Sequence, residues 1–348
     1  MKRVLGLDLI RFFAILFVPA VHFFLNNNFY YTNIGGKGSF ISLFMLFIFY
    51  IGVPLFLLLT GFLKRKKEIS KDYYKGISKI LVSYFFISFI CTVVRKYVLM
   101  DGIRILTSLI NIFNFKACGY AWYIEMYIGL FLLIPFLNVL YNNLNTKKKK
   151  LFLIFTLLCM CSFGPLVNYI KIDGVYLDVI PDWWGGIYPI IYYFIGCFLG
   201  EYQPRFDKKK LLVLGFSIVL FVTCVLYRYN LNSFFSWQFF WSYNSLFCVM
   251  LSVIFFLMFY DVDIKDKIIN MTVTSVSILS LDIYLFSYLV DRFVYQYLNN
   301  YLNTPNEYLR YIFPIVLVVF VFSYILSLMK HVVFLVIRKL FPILDEYI

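Results

Sequence analysis

The first long apolar stretch of the sequence contains three ionisable side chains. Asp8, Arg11 and His22 interrupt LDLIRFFAILFVPAVHFF, in which the other side chains are apolar. A helix turns about 100° per residue, so the eleven steps from Arg11 to His22 return to within about 20° of the starting direction. The two side chains therefore share one helix face, roughly 16 Å apart along the axis, and one elongated substrate could contact both. Asp8, three residues before Arg11, is expected to orient it.

His22 has a side chain suited to proton transfer. Its ordinary pKa, about 6.5, lets it accept a proton at physiological pH. We expect it to be the general base that activates a hydroxyl, and a role as a nucleophile that transiently carries the transferred group stays open. The alternative is that Arg11 reaches the membrane surface, paired with Asp8, while His22 only marks the outer end of the helix.

A carboxylate stands among aromatic residues in a later apolar stretch, AWYIEMYIGLFLLIPFLN. Ionisable groups inside a membrane are costly and usually mark a site or a pathway. We expect Glu125 to be buried at the depth of His22, where it orients His22 or binds sugar hydroxyls. Trp122 and Tyr123 beside it offer an aromatic face that suits a sugar ring.

A second polar group lies in SILSLDIYLFSYLVDRF, towards the C-terminal end. Asp282 and Tyr284 are expected to line the same cavity and to contact substrate, and Ser287 is expected to have an orienting role. Asp291 follows Ser287 by one turn and adds to this polar face. The alternative for Asp291 and Arg292 is a place on the outer rim of the membrane.

The rest of the chain has the composition of a membrane protein. Of 348 residues, 62% are hydrophobic and 14% charged, and the mean hydropathy is +0.83. Soluble domains have roughly a quarter charged residues, and a crossing helix needs about 20 apolar residues. We therefore predict an all-α, polytopic membrane bundle that forms one domain over residues 1–348. Its ten predicted spans lie near residues 4–25, 39–63, 77–98, 120–141, 151–170, 187–201, 211–229, 238–260, 270–296 and 309–330.

The basic residues predict how the chain is threaded. With the N-terminus inside, the inner segments carry 22 Lys and Arg and the outer segments 9, and Arg11 lies within a span. This asymmetry follows the positive-inside rule, and an even number of spans places the C-terminus inside as well. It also accounts for the net charge of +14 without a nucleic-acid partner. The densest basic segment, residues 64–79, is thus expected in the cytoplasm.

Two predicted segments are irregular. The sixth span, 187–201, is short for a full crossing, so a tilted or partly re-entrant helix stays open. After the last span, KHVVFLVIRKLFPILDEYI combines positive charges with aliphatic residues, which favours an amphipathic helix on the inner membrane surface. The seven cysteines lie mostly in apolar stretches without the spacing of a zinc or redox site, so we expect no metal.

The order of these motifs resembles acyltransferase family three, a family of membrane O-acyltransferases. Its members commonly begin like LDxLRxxAxxxVxxxH, which the segment from Leu7 to His22 matches closely. IGVPLFLLLTGFL is similar to the family's second segment, with Thr60 in place of the usual serine. The stretch around Glu125 resembles the WYxxxxxGLYLxxPxL segment of the branch that modifies bacterial surface polysaccharides.

Two segments depart from the family pattern. KDYYKGISKIL resembles a segment with two arginines, of which Lys79 matches the second and Gly76, beside Lys75, the first. Lysine contacts phosphate as a point charge and lacks the bidentate fork of arginine. In the stretch that contains Asp282, Ser287 stands where many members have histidine.

The resemblance implies an acyl-CoA donor, usually acetyl-CoA, and a glycan acceptor. The anionic head of CoA is then expected at Arg11, Lys75 and Lys79, on the cytoplasmic side. Its pantetheine arm, roughly 15–20 Å long when extended, matches the separation between Arg11 and His22. The acceptor is expected to be a surface polysaccharide or its lipid-linked precursor, modified at the bacterial cytoplasmic membrane.

The sequence thus favours an O-acyltransferase that moves a small acyl group to a glycan hydroxyl. A polysaccharide flippase or other transporter is the first alternative, although transporters often contain repeated halves, which this sequence lacks. A membrane sensor or glycan-binding scaffold is the second, and it would leave Asp8, Arg11 and His22 without a role.

Overall fold

The computed structural model describes residues 4–168, 170–236, 242–302 and 305–342. Nearly all regular structure in these ranges is helical, with one two-stranded antiparallel hairpin, β1 (Lys171–Ile172) and β2 (Val175–Tyr176). Short 3₁₀ turns occupy Phe29–Tyr31 and Asp182–Ile187. The helices are α1 (Leu5–Asn26), α2 (Gly36–Phe49), α3 (Gly52–Lys64), α4 (Lys71–Tyr97), α5 (Ile105–Phe113), α6 (Trp122–Asn142), α7 (Lys147–Ser162), α8 (Gly164–Val167), α9 (Tyr188–Tyr202), α10 (Lys208–Asn230), α11 (Leu246–Phe259), α12 (Lys267–Ile278), α13 (Ser280–Leu298), α14 (Pro305–Arg310) and α15 (Ile312–Leu340).

The all-α, polytopic prediction is confirmed. The described residues contain six helical stretches that are long and apolar enough to cross a membrane, and α12 with α13 makes a seventh if the bent pair is one span. The number of ten stays a prediction, because α11 has only 14 residues and the eighth predicted span begins within the undescribed residues 237–241. The stretches are Leu5–Tyr31, Gly36–Lys64, Lys71–Tyr97, Trp122–Asn142, Lys208–Asn230 and Ile312–Leu340.

Four helices that begin on the predicted inner side start with a side-chain cap. Ser70, Thr146, Asp207 and Asp266 each accept a hydrogen bond from a backbone N–H in the first turn of α4, α7, α10 and α12. Such caps satisfy backbone donors that a helix start leaves open, and at least one lysine separates each cap from the apolar part of its helix. These four polar starts are the local signals that separate the spans.

The last helix differs from the sequence-based expectation. We expected a span to end near residue 330 and a separate surface helix to follow. Instead, α15 continues without a break through 29 residues to Leu340, because no glycine or proline follows Pro314 of its first turn before Leu340. Residues 343–348 of the expected surface helix, and residues 1–3 of the first inner segment, lie outside the described residues.

The predicted ninth span is bent by 75° where α12 meets α13. The sequence around the bend, SILSLD, contains neither proline nor glycine, the residues that most often break a helix. The bend brings Ser277 and Ser280 towards α1 and the centre of the bundle, as their contacts below show.

Helices α3 and α9 pack closely through glycine. A methyl group at Gly196 would lie 3.0 Å from the Gly61 Cα and closer still to the Leu58 carbonyl oxygen. Small residues let two helices approach to backbone contact, which is a common way of packing helices in membranes. This contact sets the position of α3, whose end carries Lys64.

Gly196→Ala is therefore expected to lower the thermal stability of the detergent-solubilised protein. Overpacking of a tight contact costs about 1–3 kcal/mol, and the three nearest atoms belong to the backbone, which cannot turn aside as a flexible side chain could. Thermal denaturation followed by size-exclusion chromatography measures the effect. Gly129→Ala is the matched control, since no atom lies within 4 Å of the added methyl group. Equal melting temperatures for Gly196→Ala and Gly129→Ala would contradict the close contact.

Candidate active site

Three side chains form a hydrogen-bonded chain at the bend between α12 and α13. The Ser277 hydroxyl donates to Asp8 Oδ1 at 2.6 Å and accepts from Arg11 Nη1 at 2.9 Å. Asp8 is buried, and its Oδ1 lies 3.9 Å from Arg11 Nη1. The structure thus brings Asp8 and Arg11 together, with Ser277 between them. Sequence reasoning did not single out Ser277, because a serine in a span gives no signal of its own.

A cavity of about 210 Å³ extends from this point into the bundle. Two cations line it, Arg11 from α1 and Lys64 from the end of α3. Its wall is otherwise mostly apolar, with a few hydroxyl groups. The remaining lining residues are Val18, Val53, Phe56, Leu59, Thr60, Leu63, Ile80, Tyr123, Ile124, Tyr127, Ser280, Leu281 and Tyr284.

Lys64 is held in place by its neighbours. Its ammonium group lies 5.5 Å from the centre of the Tyr73 ring and 5.0 Å from that of Phe131, within the range of a cation–π contact. The Asn138 amide donates to the carbonyl oxygens of Lys64, at 2.9 Å, and Lys67, at 2.7 Å. Asn138 in turn accepts from the Tyr193 hydroxyl at 2.6 Å. The loop after α3 is therefore anchored to α6 and α9.

Lys75 and Lys79 lie elsewhere. Both side chains are exposed on α4, and neither lines the cavity. The second cation of the cavity is Lys64, which belongs to the same basic segment. The predicted contacts of Lys75 and Lys79 with a donor stay predictions.

His22 lies towards the other end of α1 and is largely enclosed. Its ring stacks on Tyr120, with 3.5 Å between centroids and 26° between planes, and 12% of its side chain is exposed. Its Nδ1 lies 3.8 Å from Oδ2 of Asp291 on α13. This is an ion-pair distance that exceeds a hydrogen bond, so a small movement would bring the two groups into hydrogen-bond contact.

Asp291 is fixed by two further donors. The Tyr120 hydroxyl donates to its Oδ2 at 2.8 Å, and the Asn26 amide lies 3.4 Å from the same oxygen and 3.0 Å from the Tyr120 hydroxyl. Asp291 is only 2% exposed. Its Oδ1 and His22 Nδ1 have no hydrogen-bond partner among the described residues. Unsatisfied buried polar atoms are rare and often belong to functional sites.

Two tyrosines separate the cavity from His22. The cavity reaches Val18, one turn before His22, and Tyr284. The Tyr284 hydroxyl donates to the backbone carbonyl of Tyr120, whose ring covers His22. The inner cavity and the His22–Asp291 pair are thus adjacent, with a partition of aromatic rings between them.

Residues 4–328, nearly the whole chain, match the family model described as an acyltransferase domain. The chain belongs to acyltransferase family 3. This confirms the resemblance found in the motifs, and it makes the protein a membrane acyltransferase. The comparison with curated proteins finds no match, and neither does the comparison with solved structures.

The carboxylate beside His22 in this acyltransferase is Asp291, not Glu125. We expected Glu125 to be buried next to His22, but its side chain is exposed. The start of α6 is rotated so that Tyr123 and Ile124 line the cavity. The sequence did contain a signal for Asp291, because it is an ionisable residue in an apolar stretch.

Asp282 does not line the cavity either. It faces α4 and α15, where its Oδ1 accepts from Ser83 at 2.5 Å and from Lys330 Nζ at 2.7 Å. All three side chains are buried, and Lys330 also donates to the Ser83 hydroxyl. Asp282 is thus part of a buried ion pair that connects α13 to its neighbours, and a direct substrate contact would require that pair to open.

The remaining residues that the sequence predicted for the substrate site are only partly at the cavity. Tyr123 and Tyr284 line the cavity, whereas Trp122 does not. Trp122 is 38% exposed and stacks on Tyr243, with 5.7 Å between centroids. Ser287 is buried, and its hydroxyl donates to the Tyr284 carbonyl at 2.7 Å. Ser287 therefore contacts its own helix and does not line the cavity.

An ionic cluster forms around Asp101, in the loop between α4 and α5. Asp101 accepts from Arg95 Nε at 2.8 Å and from Arg292 Nη2 at 2.9 Å, so it joins the end of α4 to α13. Partial burial disfavours the charged carboxylate, but the hydrogen bond from Arg95 and the charge of Arg292 outweigh it, and the pKa of Asp101 lies below its ordinary value. Arg95 Nη1 also donates to the Ala117 carbonyl oxygen at 3.5 Å, so the cluster also contacts the loop before α6, which carries Tyr120.

No group of three or more His, Cys, Asp or Glu side chains that could hold a metal ion occurs in the described ranges. The functional groups around the cavity and around His22 include the cations Arg11 and Lys64, several hydroxyls, the His22 imidazole and the carboxylates of Asp8 and Asp291.

Proposed function

We propose that this membrane acyltransferase transfers a small acyl group, such as acetyl, from acyl-CoA to a hydroxyl of a surface glycan or its lipid-linked precursor. The observation that carries the proposal is the arrangement along α1. Arg11 lines the cavity at one end, and His22 pairs with Asp291 one turn beyond the cavity's other end. In the predicted topology, the first end faces the cytoplasm, where CoA is found.

The cationic end of the cavity suits the anionic head of the donor. Arg11 and Lys64 provide two positive charges at the cavity wall. Beside the same loop lies an open groove of about 510 Å³, lined in part by Lys66, Lys67 and Asn142. Lysine ammonium groups and amide side chains are suitable contacts for phosphates and a nucleotide. We assign the groove to the nucleotide part of CoA.

The mostly apolar middle of the cavity suits the pantetheine arm. Arg11 and His22 are eleven residues apart on one helix, which is roughly 16 Å, and the extended arm is roughly 15–20 Å long. A donor whose phosphates contact Arg11 and Lys64 would thus bring its thioester to the level of Tyr284. Transfer to His22 then requires the Tyr120 or the Tyr284 ring to move aside.

His22 would act as general base on the acceptor. Asp291 faces Nδ1, which leaves Nε2 to take the proton of the acceptor hydroxyl. The hydroxyl oxygen bonds to the thioester carbonyl carbon, the C–S bond breaks, and the proton passes from Nε2 to the departing sulfur. The products are an ester and free CoA. Asp291 would orient the ring and stabilise its positive charge while it holds the proton.

The test uses purified protein in vesicles, with labelled acetyl-CoA and the surface glycan as acceptor. We expect acetyl ester on the glycan and one free CoA for each ester formed. Arg11→Ala is expected to raise the KM for acetyl-CoA about tenfold or more, since one charge-assisted contact is lost, and Arg11→Lys should recover part of it. Lys209→Ala, which removes an exposed cation at the start of α10, is the matched control.

Two results would contradict the proposal. If the glycan gains no ester and no CoA is released, the acyl donor is not acyl-CoA or the acceptor is not this glycan. If Arg11→Ala and Lys209→Ala have the same KM, the donor's head does not bind at the cavity.

A further inference from the structure

A groove of about 500 Å³ lies on the predicted outer side, between the start of α2 and the start of α15. It is distinct from the inner cavity, with which it shares no lining residue. Lys37 and Arg310 supply its charge, and Ile41, Met45 and Phe313 supply most of its apolar wall. Nothing in the proposed mechanism uses these residues.

The two cations of the groove have no carboxylate within ion-pair distance among the described residues. Lys37 and Arg310 are exposed, and neither forms an ion pair with any residue in the described part of the chain. Arg95 and Arg292, also on the predicted outer side, differ in this respect, because both form an ion pair with Asp101. Two free cations from separate parts of the chain at one groove are complementary to an anionic group such as a phosphate.

The apolar wall below them faces away from the protein core. Ile41 is 48% exposed and Phe313 is 72% exposed, at the start of helices that are long and apolar enough to cross a membrane. In a bilayer, such surfaces contact lipid chains, and the adjacent cations lie near the level of the head groups. A ligand with a phosphate head and an aliphatic chain satisfies both parts of the groove.

The groove lies next to the surroundings of His22. Tyr308 comes directly before the groove residues Leu309 and Arg310. Its ring lies 6.3 Å from that of Phe23, the neighbour of His22, and 6.5 Å from that of Tyr295, one turn after Asp291. A group attached to a phosphate in the groove would therefore extend over the outer ends of α1 and α13.

We propose that this groove binds the lipid phosphate that carries the acceptor glycan, so that the sugar is presented to His22. The inference rests on the proposed function, because it assigns the anchoring site of that acceptor. An ordinary phospholipid would satisfy the charge and the apolar wall, but its position beside His22 would then serve no purpose. The lipid-linked acceptor accounts for the charge, the apolar wall and the position together.

The test uses a photoreactive isoprenoid diphosphate probe with the full-length protein in phosphatidylcholine nanodiscs. We expect labelling of the peptides that contain Lys37 and Arg310. In the double variant Lys37→Glu/Arg310→Glu, labelling should fall about tenfold or more, because two charge-assisted contacts become repulsive. Lys116→Glu, which reverses an exposed cation on the predicted outer side away from the groove, is the matched control and should label like the wild type.

A competition experiment decides between the two kinds of lipid. Added phosphatidylglycerol at the same concentration as the probe should leave labelling largely unchanged. Equal labelling of the double variant and the wild type would overturn the site. Full displacement by phosphatidylglycerol would assign the groove to phospholipid and overturn the proposed occupant.

An acylation assay separates this inference from the proposed function. The double variant should lose transfer to a lipid-linked acceptor while it keeps transfer to a water-soluble glycan fragment. If the wild type acylates neither acceptor, the proposed function fails, and the probe labelling still decides whether the groove binds a lipid phosphate.

Discussion

His22→Ala is expected to abolish glycan acylation while membrane insertion and acyl-CoA binding persist. A missing general base costs about 10²–10⁴ in rate, and no other imidazole lies near the cavity in the described part of the chain. The measurement is ester formation on the glycan, with acyl-CoA affinity determined in parallel. Folding should survive, since most neighbours of His22 on α1 are apolar and the alanine leaves the Tyr120–Asp291 hydrogen bond in place.

His22→Gln separates proton transfer from positioning. Glutamine keeps hydrogen-bonding capacity but cannot take up the proton. We therefore expect it to be nearly as inactive as alanine. Near-normal activity of His22→Gln would reduce His22 to a positioning residue, and near-normal activity of His22→Ala would remove it from the mechanism.

Asp291→Asn is expected to lower kcat by about 10²–10⁴ with little change in the KM for acyl-CoA. The amide keeps an oxygen that can accept from Tyr120, but it loses the charge that stabilises the protonated ring. In the serine–histidine–aspartate triad, the equivalent substitution costs up to about 10⁴. Steady-state kinetics over a range of acyl-CoA concentrations measures both constants.

The double variant His22→Ala/Asp291→Asn tests whether Asp291 acts through His22. If it does, Asp291→Asn costs little once His22 is absent, because residues that act as a unit are not additive. If the two losses are instead independent and multiply, Asp291 has a separate, structural role.

Glu125→Gln completes the comparison. Because Glu125 is exposed and does not contact His22, we expect this variant to keep nearly full activity. A loss of activity as large as that of Asp291→Asn would instead identify Glu125 as the partner of His22.

Local patterns in the sequence were sufficient for the helical architecture. Runs of about 20 apolar residues predicted where most of the long helices lie, since such runs depend only on neighbouring positions. The bend between α12 and α13 had no such signal. It is held by Ser277, whose partners Asp8 and Arg11 are more than 260 residues away in the sequence.

The place of Lys64 at the cavity likewise had no signal in the nearby sequence. The basic segment 64–79 was recognised as the place for a donor, but Lys75 and Lys79 point to solvent and Lys64 lines the cavity. Which lysine lines the cavity depends on where α3 ends relative to its neighbours. The glycine contact with α9 and the hydrogen bonds from Asn138 fix that position, and neither contact can be derived from residues 64–79 alone.

The sequence by itself determined that this protein is an all-α membrane protein and that Arg11 and His22 share one face of the first helix, because helix geometry and membrane burial follow from local composition and spacing. Its acyltransferase character came from the match of its motifs to a known family. Only the tertiary structure decided that Asp291 pairs with His22, that Glu125 is exposed and that Asp282 pairs with Lys330. Each of these depends on how a helix is rotated about its own axis. In an apolar bundle that rotation is set by close packing with distant helices, which the order of residues along a single helix does not specify.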